Sequence, residues 1–271
     1  MGRKCFRQVF PLERQAEFTL VDVFRESLEY TRNYTLPFNM ISVCIRSEGA
    51  DASVTSNLKT GEIFRAREND ISLIPHGLAQ QYAHTVRNER YGIHFKLELY
   101  PGVDVFSGGL HQICENSPSL RKEADEIFAE SDPVLMLSRC REFALRFCHR
   151  HWPERYELNP DKIRPFEEHL NYIRGNVHAE LGVAGLAERM HRSAGSFSRE
   201  FHAAFRQTPK QYLQNELYRK AAQMLLDPSE SVKTVAEKLN FSSEFYFSKF
   251  FKRLSGISPR AYRARTVFSC R

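Results

Sequence analysis

An internal repeat in the C-terminal third is the feature that most constrains the fold of this chain. A group of apolar residues recurs 49 positions later: Val183, Leu186, Ala187 and Met190 return as Val232, Val235, Ala236 and Leu239. One residue is then inserted, and at an offset of 50 Phe197, Phe201 and Thr208-Pro209 return as Phe247, Phe251 and Ser258-Pro259. A match of this extent predicts two copies of one helical unit.

Each copy has the pattern of two short helices joined by a tight turn. Residues 183–190 and 232–239 are amphipathic, and Ser193 and Ser242 stand where the next helix needs an N-cap. The following helices, predicted over 194–205 and 243–254, place two phenylalanines four residues apart on one face. This pattern predicts two helix-turn-helix units, and a DNA major groove admits one helix of each.

Further helices are predicted after and between these units. Thr208-Pro209 and Ser258-Pro259 each combine a capping hydroxyl with a proline at the first helical position, which is typical of a helix start. A longer helix predicted over 212–226 joins the two copies and fixes their separation. This separation matters because two DNA-reading helices reach successive major grooves only when they lie roughly 34 Å apart.

The excess positive charge lies in the same region as the repeat. Residues 161–271 carry 19 Lys and Arg against 11 Asp and Glu, a net charge of +8, whereas residues 1–160 carry 20 against 22, a net charge of −2. This asymmetry favours a polyanionic partner for the C-terminal part. No apolar run reaches the length of about 18 residues that a membrane span needs, and the six cysteines include no CxxC pair. We therefore expect no membrane partner and a reducing compartment, the cytoplasm.

Residues 163–265 resemble the DNA-binding domain of the AraC/XylS family of bacterial transcription regulators. The segments that carry the resemblance are 232–236, Phe241, the YFSKFFK sequence at 246–252 and the GISPRAYR sequence at 256–263. Three positions depart from the family pattern: Asn240 replaces a glycine before the aromatic residue, Arg206 stands where a glycine commonly ends the first reading helix, and Leu217 replaces an arginine of the connecting helix. Asparagine tolerates a positive φ, so we expect the turn at Asn240 to survive.

The resemblance implies which residues contact double-stranded DNA. In the first reading helix these are Gly195, Ser198 and Arg199, with His202 on the same outer face; in the second they are Glu244, Phe245, Ser248 and Lys249. Contacts to phosphates are expected from Arg192, Lys210, Lys252 and Arg260. Arginine or lysine can pair with guanine, glutamate can accept from cytosine, and an aromatic ring can touch a thymine methyl group. For any one basic residue, a solvated helix face is the alternative explanation.

Residues 1–115 predict a β-rich domain. Short alternating strands at 38–46, 51–58, 71–75 and 91–97 are separated by turn residues, which is typical of a barrel or sandwich. Residues 20–100 resemble the cupin-like effector barrel of AraC/XylS regulators, which binds sugars or other small ligands. The resemblance implies effector contacts from Arg46, Tyr82, Arg90 and His94. No H-x-H pair with a following carboxylate is present, so we expect no metal and no cofactor.

Two segments connect the barrel to the DNA-binding domain. Residues 116–152 have a helical period, and the apolar stripe of Leu137, Ala144, Phe147, Cys148 and Trp152 predicts either core packing within the domain or the seam of a homodimer. Residues 153–161 contain two prolines and predict a linker. The DNA-binding domain then occupies 162–271.

The chain is therefore predicted to be an α+β multidomain protein: a cupin-like β-barrel plus a helical pair, followed by an all-α DNA-binding domain with two helix-turn-helix units. The leading hypothesis is a ligand-responsive transcription regulator, not an enzyme, that associates with the nucleoid when bound. Its effector would be a small molecule, for which a sugar is one class, and an activator of this family would also contact RNA polymerase. The alternatives are a cupin enzyme with an accessory DNA-binding domain and a ligand-independent DNA-binding regulator.

Overall fold

A computed structural model describes residues 17–27, 29–49, 51–106, 111–151, 160–205 and 207–267. The predicted linker 153–161 lies almost wholly outside these ranges, as do Trp152 and Arg206, and Pro160 already begins a helix. Among the described residues, no helix is both long enough and apolar enough to cross a bilayer.

Two antiparallel sheets form the N-terminal part. The first has the order β1 (Glu17–Glu26), β8 (Asn88–Tyr100), β3 (Asn39–Ser47), β6 (Asp70–Ile74) and β10 (Ile113–Asn116), and β9 (Val103–Asp104) pairs with β8. The second has the order β2 (Tyr30–Thr35), β7 (Ala79–His84), β4 (Ser53–Asn57) and β5 (Ile63–Arg65). The sheets face each other, because Arg90 of the first is bonded to His84 of the second. The β-rich fold predicted for this region is confirmed.

The outer face of the first sheet is covered by two helices, α1 (Pro118–Phe128) and α2 (Pro133–Arg150). Both begin at a side-chain cap followed by proline, with Ser117 and Asp132 accepting backbone N–H bonds. Ala144, Phe147 and Cys148 of α2 are buried in the core that α2 shares with this sheet. Core packing therefore accounts for these three residues of the predicted stripe, whereas Leu137 is exposed.

The C-terminal part is helical. Its elements are α3 (Pro160–Ile163), a 3-10 turn (Arg164–Phe166), α4 (Glu167–Asn176), α5 (Val183–Arg189), α6 (Ala194–Phe205), α7 (Pro209–Leu226), α8 (Val232–Lys238), α9 (Glu244–Ser255) and α10 (Pro259–Val267). The helix that joins the copies, α7, begins before the predicted residue 212. Thr208 and Gln211 cap this start reciprocally, and Pro209 occupies its first turn.

The two copies of the repeat have the same backbone geometry. Arg192 N–H donates to Ala187 O in the first turn, and Phe241 N–H donates to Ala236 O in the second, at 2.9 and 3.0 Å. The matching turn residues, His191 and Asn240, have φ values of 53° and 57°. The expectation that Asn240 supports a left-handed turn is confirmed, and the sequence repeat is a structural repeat of two helix-turn-helix units.

Candidate nucleic-acid interface and ligand chamber

The first reading helix, α6, is held by aromatic packing on its inner face. Phe197 and Phe201 lie 5.9 and 5.4 Å from the ring of Phe166, centroid to centroid, and all three are buried. Ser193 Oγ accepts the N–H of Ser196, so the predicted cap is confirmed. The opposite face of α6 is open to solvent.

The second reading helix, α9, repeats this arrangement with one difference. Phe247 and Phe251 are fully buried, but the helix is capped by Ser243, whose Oγ accepts the N–H of Tyr246 at 3.3 Å. The prediction of Ser242 as the cap was wrong by one residue, because the extra residue of the second copy lies in the turn and moves the helix start. Phe245 and Tyr246 are 70% and 59% exposed. Tyr246 is an exposed aromatic residue that the sequence prediction did not include.

The structure places all twelve predicted DNA-contacting residues at the surface of the helical part. The exposed residues are Arg192, Gly195, Arg199, His202, Lys210, Phe245, Lys249, Lys252 and Arg260, and the half-buried ones are Ser198, Glu244 and Ser248. Gly195 faces open space, since a Cβ built there meets no atom within 4 Å. The facing β-sheets therefore leave both reading surfaces accessible.

Some of the basic side chains on these surfaces lie close to a carboxylate, and others do not. Arg260 donates to Glu244 at 3.2 Å, and Arg192 lies 3.8 Å from Glu200. Arg199, Lys249 and Lys252 form no salt bridge with the described residues. Three unpaired cations on exposed helix faces are suited to phosphates or guanine edges.

A hydrogen-bonded cluster of polar side chains lies in the space between the two sheets, next to the buried rings of Phe24, Phe38 and Tyr82. Arg90 is 5% exposed there and donates from Nε to Glu26 Oε1 at 2.9 Å; a second nitrogen bonds both Glu26 and the Tyr30 hydroxyl. Its third nitrogen lies 2.7 Å from His84 Nε2, and His84 Nδ1 lies 2.8 Å from Ser53 Oγ. We call this space the chamber.

Three of the four predicted effector-contacting residues line or adjoin the chamber. Tyr82, Arg90 and His94 are buried. Arg46 is not with them: its side chain is 45% exposed and forms ion pairs with Glu48 and Glu89 at the surface. The register between β3 and β8 shifts between Cys44 and Arg46. This irregularity turns Arg46 away from the chamber.

Comparison with known proteins identifies the helical part. Residues 186–265 match the family model described as a helix-turn-helix domain. The MmsAB operon regulatory protein of Pseudomonas aeruginosa is 32% identical over 94 residues, covering 35% of this chain and 31% of that protein. AlkR of Acinetobacter baylyi, an HTH-type transcriptional regulator, is 34% identical over 121 residues, covering 39% and 40%. The helical part therefore contains a helix-turn-helix domain of AraC/XylS type.

A longer but weaker match extends the comparison beyond the AraC/XylS domain. The transcriptional activator RhaR of Pectobacterium carotovorum is 26% identical over 162 residues, covering 59% of this chain and 55% of that protein. The chain thus matches between about a third and a little over half of the length of these relatives. The fold is similar to that of ToxT from Vibrio cholerae, with a TM-score of 0.62 at 11% identity, covering 91% of this chain and 98% of ToxT.

The AraC/XylS domain is joined to the sheets by a buried ionic contact that sequence reasoning missed. Arg219 of α7 is 5% exposed and donates to Glu98 of β8 at 2.6 Å, and it lies 3.0 Å from Glu216. Burial raises the pKa of Glu216, and the Arg219 guanidinium opposes that shift. Nearby, burial raises the pKa of Asp104 to about 6 although Leu97, Phe106 and Asn39 donate hydrogen bonds to it.

A sequence signal for this contact exists. Glu216 and Arg219 interrupt the apolar face of a helix whose neighbouring residues are buried, and buried charges are almost always paired. The partner on the distant strand, Glu98, carries no such signal, because only the fold brings the two segments together. Among the described residues, no group of three or more His, Cys, Asp and Glu side chains is placed to hold a metal ion.

Proposed function

We propose that this chain is a ligand-responsive transcription regulator that reads double-stranded DNA with α6 and α9. The observation that carries the proposal is the duplicated helix-turn-helix geometry, with both reading faces exposed. Arg199 on the first face and Lys249 and Lys252 on the second form no salt bridge with the described residues. Arg199 reads the first half of the site, and Lys249, Phe245 and Glu244 read the second. Arg260 orients Glu244 through their hydrogen bond.

Selection from a random duplex pool tests this proposal. The full chain is expected to enrich one sequence with two half-sites about one helical turn apart. Arg199→Ala and Lys249→Ala should each weaken discrimination in a different half-site, by about 1–3 kcal/mol. Lys59→Ala, at an exposed turn of the sheet domain, removes the same charge and should leave the preference unchanged. Unaltered base preference in both reader variants would contradict the proposal.

We further propose that the chamber binds a neutral, hydroxyl-bearing effector, and a sugar is one such class. Arg90 is already neutralised by Glu26, so an anionic ligand would have to compete with a buried carboxylate. The hydroxyls, amides and imidazole that face the chamber suit hydroxyl groups instead. Gln80 supports this, because its buried Oε1 has no hydrogen-bond partner among the described residues. ToxT has been solved with an unsaturated fatty acid bound, so a fatty acid is the ligand class to compare with a neutral, hydroxyl-bearing effector.

Thermal-shift measurements with pentoses, hexoses, polyols and palmitoleate separate these possibilities. A ligand specific to the folded state raises the midpoint of unfolding. We expect a shift with a neutral polyhydroxyl compound that Arg90→Leu abolishes and Arg46→Leu preserves, since Arg46 lies outside the chamber. A shift with palmitoleate alone would overturn the proposed ligand class, and no shift with a broad metabolite panel would favour a ligand-independent regulator.

We also propose a homodimer that uses the start of α2. Val134, Leu135 and Leu137 are exposed there, although Ala144, Phe147 and Cys148 of the apolar stripe are buried within the domain. An exposed apolar group of this kind favours association. If the regulator is an activator, it contacts RNA polymerase, and transcription in vitro from the selected site with purified polymerase gives the sign of regulation.

A further inference from the structure

One side of strand β2 contacts the residues of the chamber. The hydroxyl of Tyr30 bonds Arg90 and lies 3.5 Å from Glu26, and its ring packs edge-on against His84 with centroids 5.0 Å apart. Four residues along the strand, the ring of Tyr34 lies 6.2 Å from that of Tyr82. A ligand that engages Arg90 must therefore disturb the bonds that hold β2 in place.

The same strand contacts the second helix-turn-helix unit directly. Thr35 O accepts a hydrogen bond from the Tyr218 hydroxyl at 2.9 Å, and Tyr218 packs edge-on against Phe251 of α9. Asn33 O lies against Gly256, which caps the end of α9, so closely that a Cβ at Gly256 would overlap it. Both contacts come from one strand and reach the reading helix of the second unit.

The first reading helix is connected to the sheets by a different route. Tyr212, which packs edge-on against Phe201 of α6, donates from its hydroxyl to Pro101 O in the turn between β8 and β9. That turn lies outside the chamber. The end of the second reading helix is therefore in direct contact with β2, which carries chamber residues, whereas the first reading helix is linked to the sheets through α7 and the turn after β8.

The position of β2 in its sheet makes it a suitable moving part. It lies at the edge of the second sheet and pairs there with β7 alone. An edge strand has a hydrogen-bonded neighbour on one side, so a small displacement breaks fewer backbone bonds than it would in a central strand.

We propose that β2 transmits the state of the chamber to α9, so that chamber occupancy changes reading of the second half-site more than of the first. This inference rests on the proposed function, and it specifies which of the two half-sites responds to the chamber. Tyr34 and Thr35 are its positioning residues, because they act on the DNA through Tyr262, Tyr218 and the end of α9.

The test perturbs the chamber without a known ligand. In the full chain, Glu26→Gln removes the carboxylate that pairs with Arg90, and Tyr30→Phe removes one hydroxyl as a milder second perturbation. Affinity is measured for the selected duplex and for two versions with one half-site scrambled. We expect both variants to change the contribution of the second half-site by at least about fivefold, with little change in the first. Hydrogen exchange should rise across 244–267 more than across 194–205.

Two controls make the outcome decisive. Ile41→Val removes a methyl group from the buried face of β3 that points to the helices, and it should affect both half-sites equally. Tyr218→Phe removes the hydroxyl that bonds Thr35 O, and in combination with Tyr30→Phe it should reduce the selective effect. An equal response of both half-sites, or a selective effect that Tyr218→Phe leaves intact, would overturn the relay while sequence-specific binding persists. Loss of sequence-specific binding by the unmodified chain would instead refute the proposed function.

Discussion

At the scale of single residues, the contact around Arg219 shows how charge balance governs a buried site. One guanidinium faces two carboxylates, those of Glu98 and Glu216, and all three side chains are at most 10% exposed. Removing the cation leaves two buried like charges, whereas removing one carboxylate leaves a balanced pair. The cost of a substitution therefore depends on which member is lost.

This balance predicts a ranking of stabilities. Arg219→Met should lower the free energy of unfolding by about 3–5 kcal/mol, because it leaves buried carboxylates unpaired. Glu98→Gln should cost less, since Arg219 keeps Glu216. Asp51→Asn, which breaks an exposed pair with Arg65, should cost about 0–1 kcal/mol. Urea denaturation measures all three, and an equal loss for Arg219→Met and Asp51→Asn would contradict the ranking.

Asp104 predicts a pH dependence of stability. Its pKa rises from 3.8 to about 6 in the folded chain. Because the folded value is the higher, the contribution of this group is complete below about pH 4 and is lost as the pH rises through about 6, a change of about 3 kcal/mol. Asp104→Asn cannot titrate, so its stability should vary less over this range. Denaturation midpoints between pH 4 and 7 test this, and identical slopes would refute it.

The sequence predicted single-residue features that depend on neighbouring residues in the chain. It did not predict features that depend on which distant segments pair. The caps at Ser193 and Thr208 follow from short-range spacing, and both were predicted. The outward turn of Arg46 depends on a register shift with a neighbouring strand, and the pairing of Arg219 depends on a strand 121 residues away. No pattern of neighbouring residues indicates the outward orientation of Arg46 or the pairing of Arg219 with Glu98.

At the scale of elements, the repeat made the helical part predictable. An i, i+4 pair of phenylalanines and a left-handed turn residue recur in both copies, so each copy supports the interpretation of the other. Four strands of the sheet domain, β3, β4, β6 and β8, were predicted, whereas the other six strands were not. The way that the strands divide into two sheets was not predicted either, because the connections cross between sheets.

The end of α9 carries a prediction for a glycine. Gly256 has φ of 81° and lies against Asn33 O, so Gly256→Ala should destabilise the chain by about 1–3 kcal/mol from backbone strain, with a further loss from the contact. The matched control, Gly185→Ala, lies within α5 in open space and should stabilise it by about 0.5–1 kcal/mol. Thermal denaturation compares the two, and a neutral Gly256→Ala would show that the cap tolerates a side chain.

At the scale of the whole molecule, one buried apolar cluster runs from the sheets into the AraC/XylS domain. It includes Phe24, Tyr34 and Met40 on one side and Leu217, Tyr218 and Phe251 on the other. Charge asymmetry and a proline-containing segment indicated two parts, and that division stays a prediction. Neither signal reveals that the parts share a core, because apolar periodicity does not say which surfaces meet.

The predicted homodimer is tested at this same scale. Val134→Glu combined with Leu137→Glu places two charges on the exposed start of α2 and should shift the chain to monomers. Leu58→Glu, an equally apolar exposed position in the sheet domain, should leave the association unchanged. Sedimentation velocity measures both. A persistent dimer in the double variant would place the interface elsewhere.

The shared core also limits how this chain can be recombined with its relatives. A chimera that received only a foreign helical domain would set unrelated side chains against Pro101 and Thr35, and it would bury Glu98 without Arg219. We expect such a chimera to be unstable, because the side chains at the contact between its two parts do not match, even when each part is intact. An exchange of the sheet part or the helical part that keeps these contacts must therefore carry α7 together with β2 and the turn between β8 and β9.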